Sequence, residues 1–165
     1  MVKPAKYLSL TVILLGAACA VPSANDANVA KAHFDQGKAY FFKKEYGKAI
    51  KEYGKAIGLK PDYAEAYSSR AWAHYYSSEM TKAIEDYSRA ISLDPKNPEY
   101  YYWRGFPYAH MRKWDKAIAD YNQAIKLKPD LAGAYYNRGL ANKALGNNAK
   151  AKADMNKGRE LGFQD

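Results

Sequence analysis

The chain carries a single cysteine, Cys19, in 165 residues. No intramolecular disulfide can form, and no cysteine cluster is available for a metal. Histidine is nearly as scarce. His33, His74 and His110 have no second histidine or carboxylate at ligand spacing, so no metal site is expected. There is no glycine-rich phosphate loop and no nucleophile set beside a base. The acidic pairs Glu85 with Asp86 and Glu45 with Glu52 read as solvated helix-surface carboxylates rather than acid/base machinery. These absences exclude an enzyme and leave no cofactor to expect. Long apolar runs are missing too. Residues 7–18 (YLSLTVILLGAA) form the main one, and it is too short to cross a bilayer, which takes about 20 residues.

Nor is there a block of one charge. The 26 basic and 17 acidic residues give a net +9, but they are interleaved, which describes a solvated surface better than a nucleic-acid or lipid footprint.

The apolar run at residues 7–18 follows Lys3 and Lys6 and leads into Ala18-Cys19-Ala20. A basic start, a short apolar stretch and a small-x-small site describe a secretory signal over residues 1–20. Without Lys3 and Lys6 the net charge falls from +9 to +7, and the cysteine is lost as well. Cleavage after Ala20 implies a periplasmic or secreted protein. The alternative is lipidation at Cys19, which would anchor the chain to a membrane; against it, Leu15 stands one position too far from Cys19 for a lipoprotein signal. Residues 21–29 (VPSANDANV) read as a flexible polar linker, too poor in apolar surface to order themselves.

What the remainder has is a period. Pro61, Pro95 and Pro129 are 34 residues apart, and residues 30–63, 64–97, 98–131 and 132–165 divide the chain into units of that length. Related segments recur in register, among them YGKAIKEYGKAIGLKPD, MTKAIEDYSRAISLDPK and WDKAIADYNQAIKLKPD. Ile84, Tyr87 and Ile91, and again Ile118, Tyr121 and Ile125, stand at helical spacing beside small alanines. Each unit therefore reads as two antiparallel helices. Asp62 with Glu65 resembles a capping box, Asn97-Pro98 a cap followed by proline, and Asp130 a further cap.

This pattern resembles the tetratricopeptide repeat (TPR) family. Unit two answers the family pattern with Tyr67, Ala71, His74, Ala83, Tyr87, Ala90 and Pro95, and unit three with Tyr101, Gly105, Tyr108, Ala117, Tyr121, Ala124 and Pro129. Unit one matches through His33, Gly37, Tyr40, Ala49, Tyr53, Ala56 and Pro61. Unit four is degenerate, as suits a capping repeat with a wetted outer face. The resemblance implies an all-α solenoid of four helix pairs in a right-handed superhelix. It also assigns half of the sixteen tyrosines to helix packing.

The resemblance further implies that the first helices line a concave groove that holds a partner segment. Carried over by repeat position, that groove presents Phe34, Lys38, Phe42, Trp72, Tyr75, Tyr76, Tyr102, Phe106, His110 and Tyr136. Trp72, Tyr75, Tyr76, Tyr102, Phe106 and Tyr136 are expected to form one apolar strip, the mark of an interaction surface. The alternative is that adjacent first helices bury part of it. Tyr100 and Trp103 are expected to face neighbouring repeats. The carboxylate clamp of the chaperone-binding members is missing: Phe34, Lys38, Ser69, Glu99 and Trp103 stand at its positions. The expected ligand is thus a protein or peptide with aromatic or aliphatic anchors. A polyanion, nucleic acid or an anionic envelope polymer, is the competing partner, since unit one holds eight lysines against four acids; export argues against nucleic acid. Pro107 falls inside a first helix, where it removes an N–H and predicts a kink. That kink either re-aims Phe106 and His110 or is merely tolerated.

Overall fold

The computed structural model describes residues 24–164. The secretory signal expected over residues 1–20, Cys19 included, lies outside the described residues. Among the described residues there are eight helices and no strand: α1 (Ala24–Phe42), α2 (Tyr46–Leu59), α3 (Ala64–Tyr76), α4 (Met80–Leu93), α5 (Pro98–His110), α6 (Trp114–Leu127), α7 (Ala132–Ala144) and α8 (Asn148–Glu160). Each odd helix packs on the even helix after it, and each even helix on the next odd one. The result is a solenoid of four helix pairs. In addition, α1 touches α3 and α3 touches α5, so successive odd helices share one face. Helices α3, α5 and α7 start at the first residue of their 34-residue units.

The linker expected at residues 21–29 is corrected over its described part. Residues 24–29 belong to α1. Ala30 is fully buried, and a helix already anchored there extends at little further cost, because only nucleation is expensive. Asp26 in the first turn also suits the positive end of the helix dipole.

The core repeats with the sequence. Tyr53, Tyr87 and Tyr121, one in each of the first three units, are its largest fully buried aromatic side chains. Truncating a buried ring of this size typically costs about 3–5 kcal/mol. Ala49, Ala83 and Ala117, with Ala56, Ala90 and Ala124, are wholly buried and let the helices approach closely. Gly37 does the same from the facing helix. A β-carbon there would stand 2.6 Å from the Tyr53 ring. Burial pushes the Tyr53 phenol up to about 12, and raises Tyr87 and Tyr121 as well. These tyrosines are therefore neutral packing groups.

A second periodic element links helices within and between units. Arg70 donates two hydrogen bonds of 2.7 Å to Asp86, Arg104 binds Asp120 in the same way at 2.9 and 2.7 Å, and Arg138 binds Asp154 at 2.8 and 2.6 Å. The fork of the guanidinium matches both carboxylate oxygens, the strongest form of such a pair. Asp86 is buried, which corrects its reading as a solvated carboxylate. The remaining arm of the arginine reaches back one unit: Arg104 Nη1 donates to Ser88 Oγ at 2.9 Å and Arg138 Nη1 to Asn122 Oδ1 at 2.7 Å. At the first junction the corresponding residue is Gly54, and a β-carbon there would lie 3.7 Å from Arg70 Nη1. In unit one His33 and Glu52 make the helix-to-helix contact instead, at 2.7 Å.

The caps were legible only in part. Asn97 accepts from the Glu99 N–H and caps α5. Asp62 does not cap α3, whose first flanking residue is Tyr63; its carboxylate is held by Lys60 at 2.7 Å. Leu131, not Asp130, flanks α7. As for Pro107, α5 runs uninterrupted through it, and the Met111 N–H bonds to the Pro107 carbonyl at 3.0 Å. The pyrrolidine ring is fully buried, in the slot that Ala73 and Ala141 fill in neighbouring units. Filling the buried core is thus the visible role of this proline.

Candidate functional site

On the face shared by the odd helices, rings meet in an unbroken chain. Phe42 contacts Phe41 at 6.2 Å between centroids, and Phe41 contacts Tyr76 at 5.7 Å. Tyr76 meets Trp72 edge-on at 5.0 Å, and Trp72 stacks on Tyr75 at 5.2 Å. Trp72 also meets Trp103 at 4.6 Å, and Trp103 meets Tyr102 at 4.6 Å and Phe106 at 5.1 Å. His110 closes the row edge-on to Tyr75 at 5.9 Å. These are the offset and edge-to-face arrangements that aromatic quadrupoles favour. The cluster spans α1, α3 and α5, as helical spacing within each unit and a 34-residue repeat between units require.

Its members differ in what they offer a partner. Phe42 is 78% exposed and Tyr76 49%, although both are large apolar rings. Trp72, Tyr75 and Phe106 are half-buried, and Lys38 and His110 are exposed. Two residues expected in the groove, Phe34 and Tyr102, are buried packing groups, and a third, Tyr136, is half-buried. Phe34 is 4% exposed and lies against Tyr53 and Tyr63, at 5.6 and 5.0 Å. Tyr102 is 8% exposed, and its hydroxyl accepts from Asn137 at 3.1 Å. Tyr136 stacks on Phe163 at 4.3 Å, away from the cluster. Adjacent helices take up part of the strip because their ring-bearing faces converge.

Two residues of the cluster were not expected to line the groove. Trp103 faces a neighbouring repeat, as expected, and there meets Trp72, which brings it into the cluster. Tyr46, at the start of α2, stacks on Tyr76 at 5.3 Å and 16°. Trp103 was findable: it lies in α5 one turn before Phe106.

Two pockets flank Trp72. One, of about 260 Å³, lies between α1 and α3 and is lined by Lys38, Phe41, Phe42, Tyr53, Ser69 and Trp72. The other, of about 160 Å³, lies between α3 and α5 and is lined by Ser68, Ser69, Trp72, Tyr87 and Trp103. The indole forms a wall of each. Burial is the main cause of the raised phenols of Tyr75 and Tyr102, so these two are uncharged.

Positive charge gathers at one end of this face. Lys43 and Lys44 follow α1, and Arg112 and Lys113 lie between α5 and α6. Among the described residues none of these four, nor Lys38, forms an ion pair. Of the nearby acids, Glu45 is engaged with Lys48 and Glu79 with His74 and Lys82, while Asp115 lines one pocket with Arg112 and Lys113. Lys44 and Arg112 are also in the left-handed region, with φ of 60° and 57°, as is Ser78 at 62°. The corresponding residue of the fourth unit is Gly146, at 79°. Glycine adopts this conformation freely, whereas other residues are strained in it.

Among the described residues no group of three or more His, Cys, Asp or Glu side chains could hold a metal ion. His74 is buried with Nδ1 2.5 Å from Glu79 Oε2, in a contact between helices rather than in a cleft.

Comparison with known proteins agrees with the helix-pair architecture. A TPR repeat model matches residues 37–77, 73–111 and 112–146, and a tetratricopeptide repeat model matches 132–161. The search of curated proteins gave no match. Among solved structures, the crystal structure of MamA is 31% identical, with a TM-score of 0.78 over 83% of this chain and 80% of that one. MamA from Desulfovibrio magneticus RS-1 (41-end) has a TM-score of 0.76 at 19% identity, over 81% and 76% of the two chains. The first TPR of Spaghetti (RPAP3), bound to the HSP90 peptide SRMEEVD, has a TM-score of 0.71 at 24% identity, over 73% and 95%. The last two likenesses concern the fold alone.

Proposed function

This chain belongs to the tetratricopeptide repeat family, and from that premise we propose that it is an exported, non-enzymatic interaction module of the cell envelope. Its odd-helix face takes up a segment of a partner protein. The observation that carries this reading is the exposure of Phe42 and Tyr76 at the edge of a ring cluster that is otherwise packed. Packing accounts for only one side of these rings, the other being left in water beside open pockets, and contiguous apolar patches of this kind mark interaction sites. The RPAP3 domain carries its peptide on the same fold. The leader at residues 1–20 supports export, with cleavage after Ala20 favoured over lipidation at Cys19.

A photo-crosslinking amino acid placed at Phe42 or Tyr76 tests the reading in the expressing cell. We expect a discrete crosslinked partner in the envelope fraction from either position, and none from Arg89 on α4. Equal crosslinking from α4, or a protein that keeps its leader and stays in the cytoplasm, would contradict it.

A further inference from the structure

We infer that the segment taken up by this face is acidic and carries two apolar anchors, an aromatic one for the pocket between α1 and α3 and an aliphatic one for the pocket between α3 and α5. This rests on the reading of the odd-helix face as the partner site and adds the partner's chemistry to it.

The anchors follow from the pockets. They share Trp72 as a common wall, so a segment crossing α3 meets both in succession. The larger is lined by Phe41, Phe42, Tyr53 and Trp72, four rings that suit an aromatic side chain by edge-to-face contact. The smaller, with serine hydroxyls on one side and indoles on the other, has room for a branched aliphatic group.

The charge follows from what surrounds them. Lys38 stands in the wall of the larger pocket with its ammonium 5.5 Å from the Phe34 ring. Lys43 and Lys44 lie just beyond Phe42, and Arg112 and Lys113 just beyond His110. No carboxylate of the described residues pairs with any of them: Glu45 and Glu79 are already occupied, and Asp115, which shares a pocket wall with Arg112 and Lys113, offsets part of the charge at that end only. A basic segment is repelled here, whereas an acidic one is steered in and meets charges that need no partner stripped away. Lys44 and Arg112 hold left-handed backbone that Gly146 holds without strain in the fourth unit.

Lipid and nucleic acid are less well served. A flat polyanion would use the cations but leave both pockets empty.

The experiment is selection of a random twelve-residue display library on the intact protein, with Trp72→Ala and Tyr76→Ala for counter-selection. The second variant covers the case in which the half-buried Trp72 is needed for folding. We expect enriched peptides to combine an aromatic and an aliphatic residue with several Asp or Glu, and to be lost on both variants. Replacing their acids by Asn and Gln should weaken binding about tenfold at low salt. That difference should shrink as the salt concentration rises. Enrichment of neutral or basic peptides that still depend on Tyr76 would overturn the acidic partner but leave the face as the site. Equal binding of oligoglutamate without anchors would overturn the anchors and favour a polyanion. No enrichment, or peptides indifferent to both variants, would overturn the face itself, and with it the reading under Proposed function.

Discussion

Replacing Lys44 and Arg112 by glycine should make the protein more stable and a weaker binder at once. Both residues sit at φ near +60° in the turn between the two helices of a unit, and so does Ser78 in the unit between them. For a residue with a β-carbon this conformation costs about 1–2 kcal/mol. Glycine removes that cost but gives the unfolded chain more freedom, which takes back about 0.5–1 kcal/mol. The net gain is about 0.7 kcal/mol per site. The two turns share no partners, so their effects should add. The double variant should then gain roughly 1.5 kcal/mol, or about 3–6 °C in Tm for a chain of this size. Ser78→Gly is the control: it relieves the same strain without removing charge, and should gain stability with unaltered binding. Thermal unfolding followed by circular dichroism reads the first effect, and fluorescence anisotropy with a selected acidic peptide the second. Loss of stability in all three variants would refute the strain argument. Unaltered binding in Lys44→Gly with Arg112→Gly would remove these cations from the site.

Three further outcomes follow from the repeat lattice. Gly54→Ser should stabilise by about 1 kcal/mol, since it places a hydroxyl where Arg70 Nη1 has only a glycine beside it and removes glycine from the interior of α2; urea unfolding measures this. Pro107→Ala should also stabilise, by about 1 kcal/mol, because the roughly 3 kcal/mol cost of a helix-interior proline exceeds the roughly 1.6 kcal/mol lost with two buried methylenes. The new amide N–H should be protected from hydrogen exchange, and a fall in Tm would mean that the ring's packing outweighs the helix penalty. On acidification, Glu52 should contribute a loss. Its carboxyl is held low mainly by the Lys55 ammonium, with His33 adding to it against the opposing effect of burial. A depressed folded value means that the contribution is full above the unfolded value, about 4.3, and disappears as the pH falls through the folded one. Glu52→Gln should therefore flatten the acid limb of the Tm–pH curve.

The parts of this protein that were legible in its sequence are those that repeat. Alanine and tyrosine at a 34-residue period fixed the helix pairs and the buried Tyr53, Tyr87 and Tyr121, since a solenoid reuses one interface. The same period contains Arg70, Arg104 and Arg138 with their aspartates, so that lattice was available to a reading that compared charged positions as well as apolar ones. What the period could not supply was how far each ring is covered by its neighbour. Phe34 and Tyr102 occupy groove positions yet lie in the core, because Tyr63 in one case and Asn137 and Gly133 in the other close over them. Tyr136 is diverted by Phe163, a residue of the degenerate last unit. Local features failed in the same way. Asp62 has the sequence of a cap, but Lys60 holds its carboxylate, and residues 24–29 extend a helix that begins to pack only at Ala30. For the rings a tertiary partner decided the outcome, and for Asp62 a lysine two residues away.

The central claim, that a partner segment lies on the odd-helix face across Trp72, is tested most directly by titrating ¹⁵N-labelled protein with a selected peptide and following the amide and indole signals. The largest changes should fall at Lys38, Ser69, Trp72, Tyr76 and Trp103, on α1, α3 and α5, while the amides of α4 and α8 keep their positions. Changes concentrated on α4 or α8, with Trp72 and Trp103 unmoved, would contradict the account.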